Sequence, residues 1–422
     1  VPPACGRTLR AAPPRAPECR VATPRRPTAV GGSCRRAASQ PSRRHPPHPP
    51  AAQGSKVADV ETPALLVDME ALEENLQRMA KIMEGYPHVA LRPHAKSHKT
   101  VEVASLQMQQ PQTVGVACQT VSEAVTMSDT CGDVLLSNEV MSPAKARRLA
   151  AVARRGCSIS AVVDSGVAAE VLASAARTEG VRLGVLVDVN VGQDRCGVDT
   201  EAEVVGLASD ISKMDELHFR GIQAYHGGAQ HLRSQAERAS AARQVADIAR
   251  AAVAALKECK LECEVVSGGG TGTFELDAAS GVFTEVQPGS YIFGDADYAR
   301  NLGEDGLPVK DWRQSLFVVA TVISRNIAKG RVVLDAGLKA VSYDSGPPLV
   351  HGWQEDAVEV SSGGDEHTIL RVKRGDLPSL GDRVLLVPGH CDPTVNMHDY
   401  LLAVRGDSVE AVWPVAARGP GV

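Results

Sequence analysis

From about residue 88 the chain repeats one pattern. A short, β-rich apolar run stops at a polar residue or a glycine, and a stretch with apolar residues three and four apart follows. The runs are Val89–Arg92, Thr113–Ala117, Asp133–Leu136, Ser158–Val163, Leu183–Val189, Gly221–Tyr225, Cys263–Val266 and Thr284–Gln287. Intervening stretches such as Ala144–Ala153, Val167–Ala176 and Gln235–Lys257 carry helical spacing. Strands alternating with helices in this way predict an α/β fold, a closed parallel (β/α)8 barrel of the TIM type. An open doubly wound sheet is the competing arrangement.

Beyond residue 300 the rhythm changes. Leu316–Ser324, Gly330–Asp335, Thr368–Val372 and Arg383–Val387 have strand composition and are separated by Gly, Pro and Asp turns. They predict a smaller β domain, which the early strand Ala64–Asp68 joins. The chain thus divides into residues 1–55, a barrel over 56–300 and a β domain over 301–422.

Composition narrows the function. The 422 residues, 43% apolar and 23% charged, suffice for both units. Apolar runs of only a few residues exclude a membrane helix. Ten cysteines without a Cys-x-x-Cys pair do not make a disulfide framework. A net charge of −5 argues against a nucleic-acid surface. The charge is uneven, because residues 1–55 hold ten Arg, no Lys and one acid, Glu18, with twelve of the 26 Pro. Such a segment buries too little apolar surface to fold. It reads as a disordered transit peptide for an organelle, chloroplast or mitochondrion; a plain basic tail on a cytoplasmic protein is the other reading.

Polar and ionisable residues follow the strands in order: Pro93–Lys96, Cys118-Gln119, Ser137-Asn138, Asp164, Asn190–Arg195, His226–His231, Ser267–Thr273 and Pro288–Ser290. They collect at the barrel end where active sites of this architecture lie. Lys96 ends the first barrel strand, and burial beside Arg92, His94 and His98 predicts a lowered pKa and a nucleophilic amine. Lys99 lies farther from the strand end, and a solvated basic loop is the bland alternative. After the seventh and eighth strands, Gly269, Gly270 and Thr271, then Gly289, Ser290 and Tyr291, form glycine-rich turns whose backbone N–H groups suit a phosphate. A carbonyl-reactive lysine facing a phosphate cradle points to pyridoxal 5'-phosphate. Near the C-terminus, His390 and Asp392 would share one face of an extended segment, with Cys391 turned away. One imidazole and one carboxylate suit an open Mg²⁺ or Mn²⁺ site; a turn with incidental polar residues is the alternative.

With Arg92-Pro93-His94-Ala95-Lys96 as its most specific mark, the chain over about residues 56–420 resembles the fold-type III pyridoxal phosphate enzymes, which join an alanine-racemase-type barrel to a β domain. Within them it is similar to the D-threonine aldolase and D-serine dehydratase family. The resemblance implies that Lys96 carries the cofactor, that Arg195 faces its ring nitrogen and that Tyr225 lies beside it. It further implies that His231 is the base for the substrate β-hydroxyl and that His390 and Asp392 are the metal ligands. His226 and Asp365-Glu366-His367 receive no assigned role. The implied activity is metal-dependent cleavage of D-threonine-like D-β-hydroxy-α-amino acids to glycine and an aldehyde, by a homodimer. The dehydratase sibling places Cys two residues after the His; here that position is Asp392, which favours the aldolase. Racemisation, which Tyr343 or Tyr400 would serve as acid and base, and a non-catalytic pyridoxal phosphate carrier are the remaining alternatives.

Overall fold

The computed structural model describes residues 48–421, so the Arg-rich segment through residue 47 lies outside the described residues. Contacts with the β sheet begin before Lys56: Gly54 N–H donates to Val409 O, and Glu61 N–H donates to Pro50 O. The chain then enters β1 (Ala64–Asp68). The Asp68 carboxylate caps the helix Met69–Met83 that follows, accepting from the N–H groups of Glu70 and Ala71.

Each of the eight apolar runs overlaps a strand. These are β2 (Ala90–Leu91), β3 (Val116–Cys118), β4 (Asp133–Leu136), β5 (Ser158–Val163), β6 (Leu183–Asp188), β7 (Leu217–Ala224), β8 (Val265–Gly268) and β9 (Glu285–Val286). They pair in parallel in the order β2-β9-β8-β7-β6-β5-β4-β3. Parallel bridges Leu91–Thr113 and His94–Ala117 return β3 to β2 and curl the sheet into a ring. Local chemistry sets the helix ends. Ser234 and Glu237 form a capping box at the start of Gln235–Glu258, and Gly180 ends Gly166–Glu179 in the left-handed region.

Strand periodicity of two divides the barrel core. Val134, Leu136, Val185 and Val187 face the helices, whereas Leu135, Val162, Leu186 and Val265 form a separate buried layer inside the ring. Each large side chain in that layer contributes about 1.5–3 kcal/mol by leaving water.

The second sheet contains β10 (Leu316–Asn326), β11 (Arg331–Leu334), β12 (Leu349–Val350), β13 (Val358–Ser362), β14 (Thr368–Val372), β15 (Arg383–Val387), β16 (Tyr400–Arg405) and β17 (Ser408–Pro414). Its order is β13-β14-β11-β10-β1-β16-β17, with β15 joining β10 to β12. The early strand β1 is central, antiparallel to β10 and parallel to β16. The two sheets meet at the barrel mouth. Ala296 N–H donates to Pro388 O at 3.0 Å and Asp297 N–H to Gly389 O at 3.1 Å, which delivers His390 to the ends of the barrel strands. No helix among the described residues is long and apolar enough to cross a membrane.

Candidate active site

A cavity of about 300 Å³ opens at that mouth, and Lys96, Arg195, Tyr225, His231, Ser290 and His390 all line it. It lies at the lower end of ordinary ligand pockets, about 300–1,000 Å³. The two candidate lysines have separated. Lys99 takes φ +52°, and its amine is in a buried ion pair with Glu123, whose other oxygen accepts from Gln119 N–H at 2.7 Å. Lys96 Nζ remains at the cavity, 2.8 Å from Asp392 Oδ2.

The expected electrostatics of Lys96 are overturned. The Asp392 carboxylate holds its ammonium above the ordinary lysine range. The supposed positive neighbours do not act as such. Arg92 is buried and spent on Glu285 at 2.8 Å and Asp133 at 2.6 Å. Burial keeps His94 neutral, and it pushes His98 down to about 4.

The two glycine turns meet where Tyr291 N–H donates to Thr271 Oγ1 at 3.2 Å. Gly269 adopts φ +68°, and a Cβ on Gly270 would stand 2.6 Å from Gln230 Oε1, so the backbone approaches where only glycine fits. The backbone N–H groups of Gly270, Thr271, Gly289 and Ser290 have no hydrogen-bond partner among the described residues. Unpaired N–H groups at one end and an amine at the other fit pyridoxal phosphate. One detail differs from expectation. The Tyr291 side chain turns away into the core, where its hydroxyl accepts from Gln107 and its ring meets Trp312 edge-on. The Thr271 hydroxyl accepts from Tyr291 N–H at 3.2 Å, which ties the two turns together and leaves its own proton to donate.

Arg195 makes no ion pair or hydrogen bond among the described residues, and its guanidinium carbon is 6.0 Å from the Tyr225 ring centre. An unpaired cation at the mouth suits a ring nitrogen that is to remain unprotonated. His231 belongs to a dyad that the sequence did not disclose. Its Nδ1 is 2.5 Å from Asp297 Oδ2, and this bond raises the imidazole pKa. Burial alone would raise Asp297, but bonds from His231 and Arg233 bring it down to about 2. The pairing leaves Nε2 of the half-exposed ring unengaged.

The His-x-Asp segment is not extended. Cys391–Asn396 is a short helix with His390 at its N-cap, and the Asp295 carboxylate accepts from Cys391 N–H at 3.1 Å. His390 Nδ1 is 2.7 Å from Asp344 Oδ2, while its Nε2 faces Asp392 Oδ2 at 4.0 Å. Lys96 and His390 hold the buried Asp392 ionised against its desolvation. An oriented imidazole beside an anionic carboxylate is a donor pair that fits a hard divalent cation. Cys391 is not turned away: its thiol donates to Asp392 Oδ1 at 3.3 Å, and burial holds it well above the ordinary thiol pKa.

Sequence reasoning missed Asp295, Asp297 and Asp344, which bear on His231 and His390 from distant loops. The Asp295-Ala-Asp297 doublet just after the eighth strand was the available signal. Asp365 and Glu366 instead pair with Lys339 at the surface, and Tyr343 is bonded to Thr368. His226 accepts from Ala229 N–H, and burial lowers its pKa.

Comparison with known proteins accords with this geometry. Residues 67–297 match the family described as alanine racemase, N-terminal domain, and residues 315–404 match a domain named for serine dehydratase. The chain is 43% identical over 373 residues to a D-threonine aldolase of Arthrobacter sp, spanning 88% of this chain and 96% of that protein. It is 41% identical to a 3-hydroxy-D-aspartate aldolase of Paracoccus denitrificans, again over 88% and 96% of the two chains. The crystal structure of D-threonine aldolase from Filomicrobium marinum superposes with a TM-score of 0.83 at 42% identity, covering 88% of this chain and 99% of that one.

Proposed function

The chain belongs to the alanine-racemase-like, fold-type III family of pyridoxal phosphate enzymes that includes the D-threonine aldolases, and on that footing we propose that it cleaves D-threonine and related D-β-hydroxy-α-amino acids to glycine and an aldehyde, using Mg²⁺ or Mn²⁺ at His390 and Asp392. It is a carbon–carbon lyase. The observation that carries the substrate reading is the convergence of the His231–Asp297 dyad and the His390–Asp392 pair on the cavity that contains Lys96.

Pyridoxal phosphate, when bound, supplies the electron sink for the broken Cα–Cβ bond. A divalent metal, when bound, supplies positive charge that lowers the pKa of a nearby hydroxyl. The chain does the rest. Lys96 is the attachment amine, the N–H groups of Gly270, Thr271, Gly289 and Ser290 hold the phosphate, and Tyr225 packs beside Arg195. His231 accepts the β-hydroxyl proton at Nε2, because Asp297 occupies Nδ1. Such a proton is held near pKa ~16 by the standard of bulk water, so a positioned base matters, contributing about 10²–10⁴-fold. Asp344 fixes the ring of His390 with Nε2 toward Asp392.

The serine dehydratase-named domain gives dehydration some standing. A His-x-Cys pair would suit softer Zn²⁺, whereas here Asp392 occupies that position and the Cys391 thiol stays protonated. A homodimer is supported by family membership, and an organellar address by the composition of residues 1–55.

The test uses chelator-treated protein supplied with pyridoxal phosphate. Acetaldehyde from D-threonine should appear when Mn²⁺ or Mg²⁺ is restored and stay at background without it. Pyruvate from D-serine, restored best by Zn²⁺, would replace this reading with the dehydratase.

A further inference from the structure

Gln230 lines the cavity, 2% exposed, and joins three loops. Its Oε1 accepts from Gly272 N–H at 2.8 Å, and its Nε2 donates to His226 O at 3.2 Å and to Thr273 Oγ1 at 2.9 Å. Its own carbonyl accepts from Asn301 Nδ2 at 3.0 Å. The amide can face only one way, because a backbone N–H must donate and a backbone carbonyl must accept. Thr273 Oγ1 therefore accepts from Gln230, and its single proton goes to Asp277 Oδ2 at 2.7 Å. That carboxyl is 3% exposed and forms no ion pair among the described residues. It sits directly under the glycine turn, since a Cβ on Gly269 would stand 3.1 Å from its Oδ2.

We infer that Asp277, acting through Thr273 and Gln230, is the positioning residue that holds the 268–273 turn in its phosphate-binding shape. The inference rests on the reading that this turn takes the cofactor phosphate. An acceptor at position 277 claims the Thr273 proton, which leaves the hydroxyl lone pairs for Gln230 Nε2 and braces the amide in the direction that Gly272 N–H and His226 O require. Gly272 N–H is thereby consumed, and the N–H groups of Gly270 and Thr271 remain for an anion. Without that acceptor the hydroxyl is free to rotate and donate elsewhere, Gln230 Nε2 keeps only His226 O as an acceptor, and the turn is braced less firmly beside the cavity. The role needs an oxygen at position 277, not a charge. Burial pushes the carboxyl up to about 7, so the neutral amide of Asn is a close replacement.

The test measures dissociation constants of the full chain for pyridoxal phosphate and for pyridoxal, which has no phosphate, in Asp277→Ala, Asp277→Asn and Thr273→Val. Asp277→Ala should weaken pyridoxal phosphate about tenfold, the scale of one buried hydrogen bond, and leave pyridoxal unchanged. Asp277→Asn should restore affinity to within about twofold. Thr273→Val cuts the same chain outside the helix, so it should reproduce the loss, and the double variant should lose no more than either single one. Wild-type affinity for pyridoxal phosphate in both Asp277→Ala and Thr273→Val, or an Asp277→Asn as weak as Asp277→Ala, overturns the relay. Equal losses for both ligands overturn instead the assignment of the phosphate to this turn, and the inference falls with it.

Discussion

Lys96 and Lys99 lie three residues apart on one loop, yet their amines meet different fates. Lys99 is committed to the buried Glu123 carboxylate, and Lys96 faces the cavity. Replacing Lys99 by Met should cost about 3–5 kcal/mol in denaturant unfolding, because a buried carboxylate is left unpaired. That variant should still take up pyridoxal phosphate with its lysine-linked absorbance, and Lys96→Ala should lose the absorbance while staying folded. The opposite assignment of the two phenotypes would transfer the cofactor role to Lys99. His231 makes the second prediction at this scale. Asp297 raises the His231 pKa, and a base must be deprotonated to work, so the acidic limb of kcat/KM should lie above the ordinary histidine value of about 6.5. Asp297→Asn removes the raising partner and should move that limb to lower pH while depressing the plateau; a limb that stays put would detach Asp297 from the base. Strand-end position marked Lys96 ahead of Lys99, whereas Arg195 and His231 took their expected roles from the family resemblance. Asp297, 66 residues from His231, was invisible because only the folded chain brings the two together.

At the scale of elements, apolar runs of four to seven residues announced the barrel strands, because a strand buried on both faces needs continuous apolar sequence. Ser158–Val163 and Asp133–Leu136 coincide with their strands. The His390–Asp392 segment went the other way. Pro393 in the first turn presets a helical φ, and the Asp295 carboxylate satisfies Cys391 N–H, so the chain coils where alternation suggested extension. The two side chains still meet, through helix geometry and the Asp344 bond rather than through a shared strand face. Asp344→Asn should therefore weaken Mn²⁺ binding about 10–100-fold by calorimetry, with the barrel intact. Unchanged affinity would show that Asp344 does not orient the ligand.

Across the whole molecule, the barrel is held from within by the Leu135, Val162, Leu186 and Val265 layer and from outside by its helices. Leu186→Ala should cost about 2–5 kcal/mol of stability, read from denaturant midpoints. A loss below 1 kcal/mol, far under the range of about 2–5 for such a truncation, would mean that the layer is not packed. The two sheets are tied by contacts between distant stretches: β1 at the centre of the second sheet, the 296–297 loop along Pro388 and Gly389, and Ala417 N–H donating to Lys99 O. Period and composition revealed two units and an enzyme-like barrel mouth. The seam joining them depends on pairings hundreds of residues apart, which local pattern does not encode.

Aldol cleavage assisted by His231 is tested most directly by quantifying the products from D-threonine with pyridoxal phosphate and Mn²⁺ present. Wild-type protein should yield glycine and acetaldehyde in equal amounts, and His231→Ala should slow both by about 10²–10⁴-fold with the cofactor absorbance unchanged. Formation of 2-oxobutanoate and ammonia in place of glycine, or a His231→Ala variant cleaving at the wild-type rate, would contradict it.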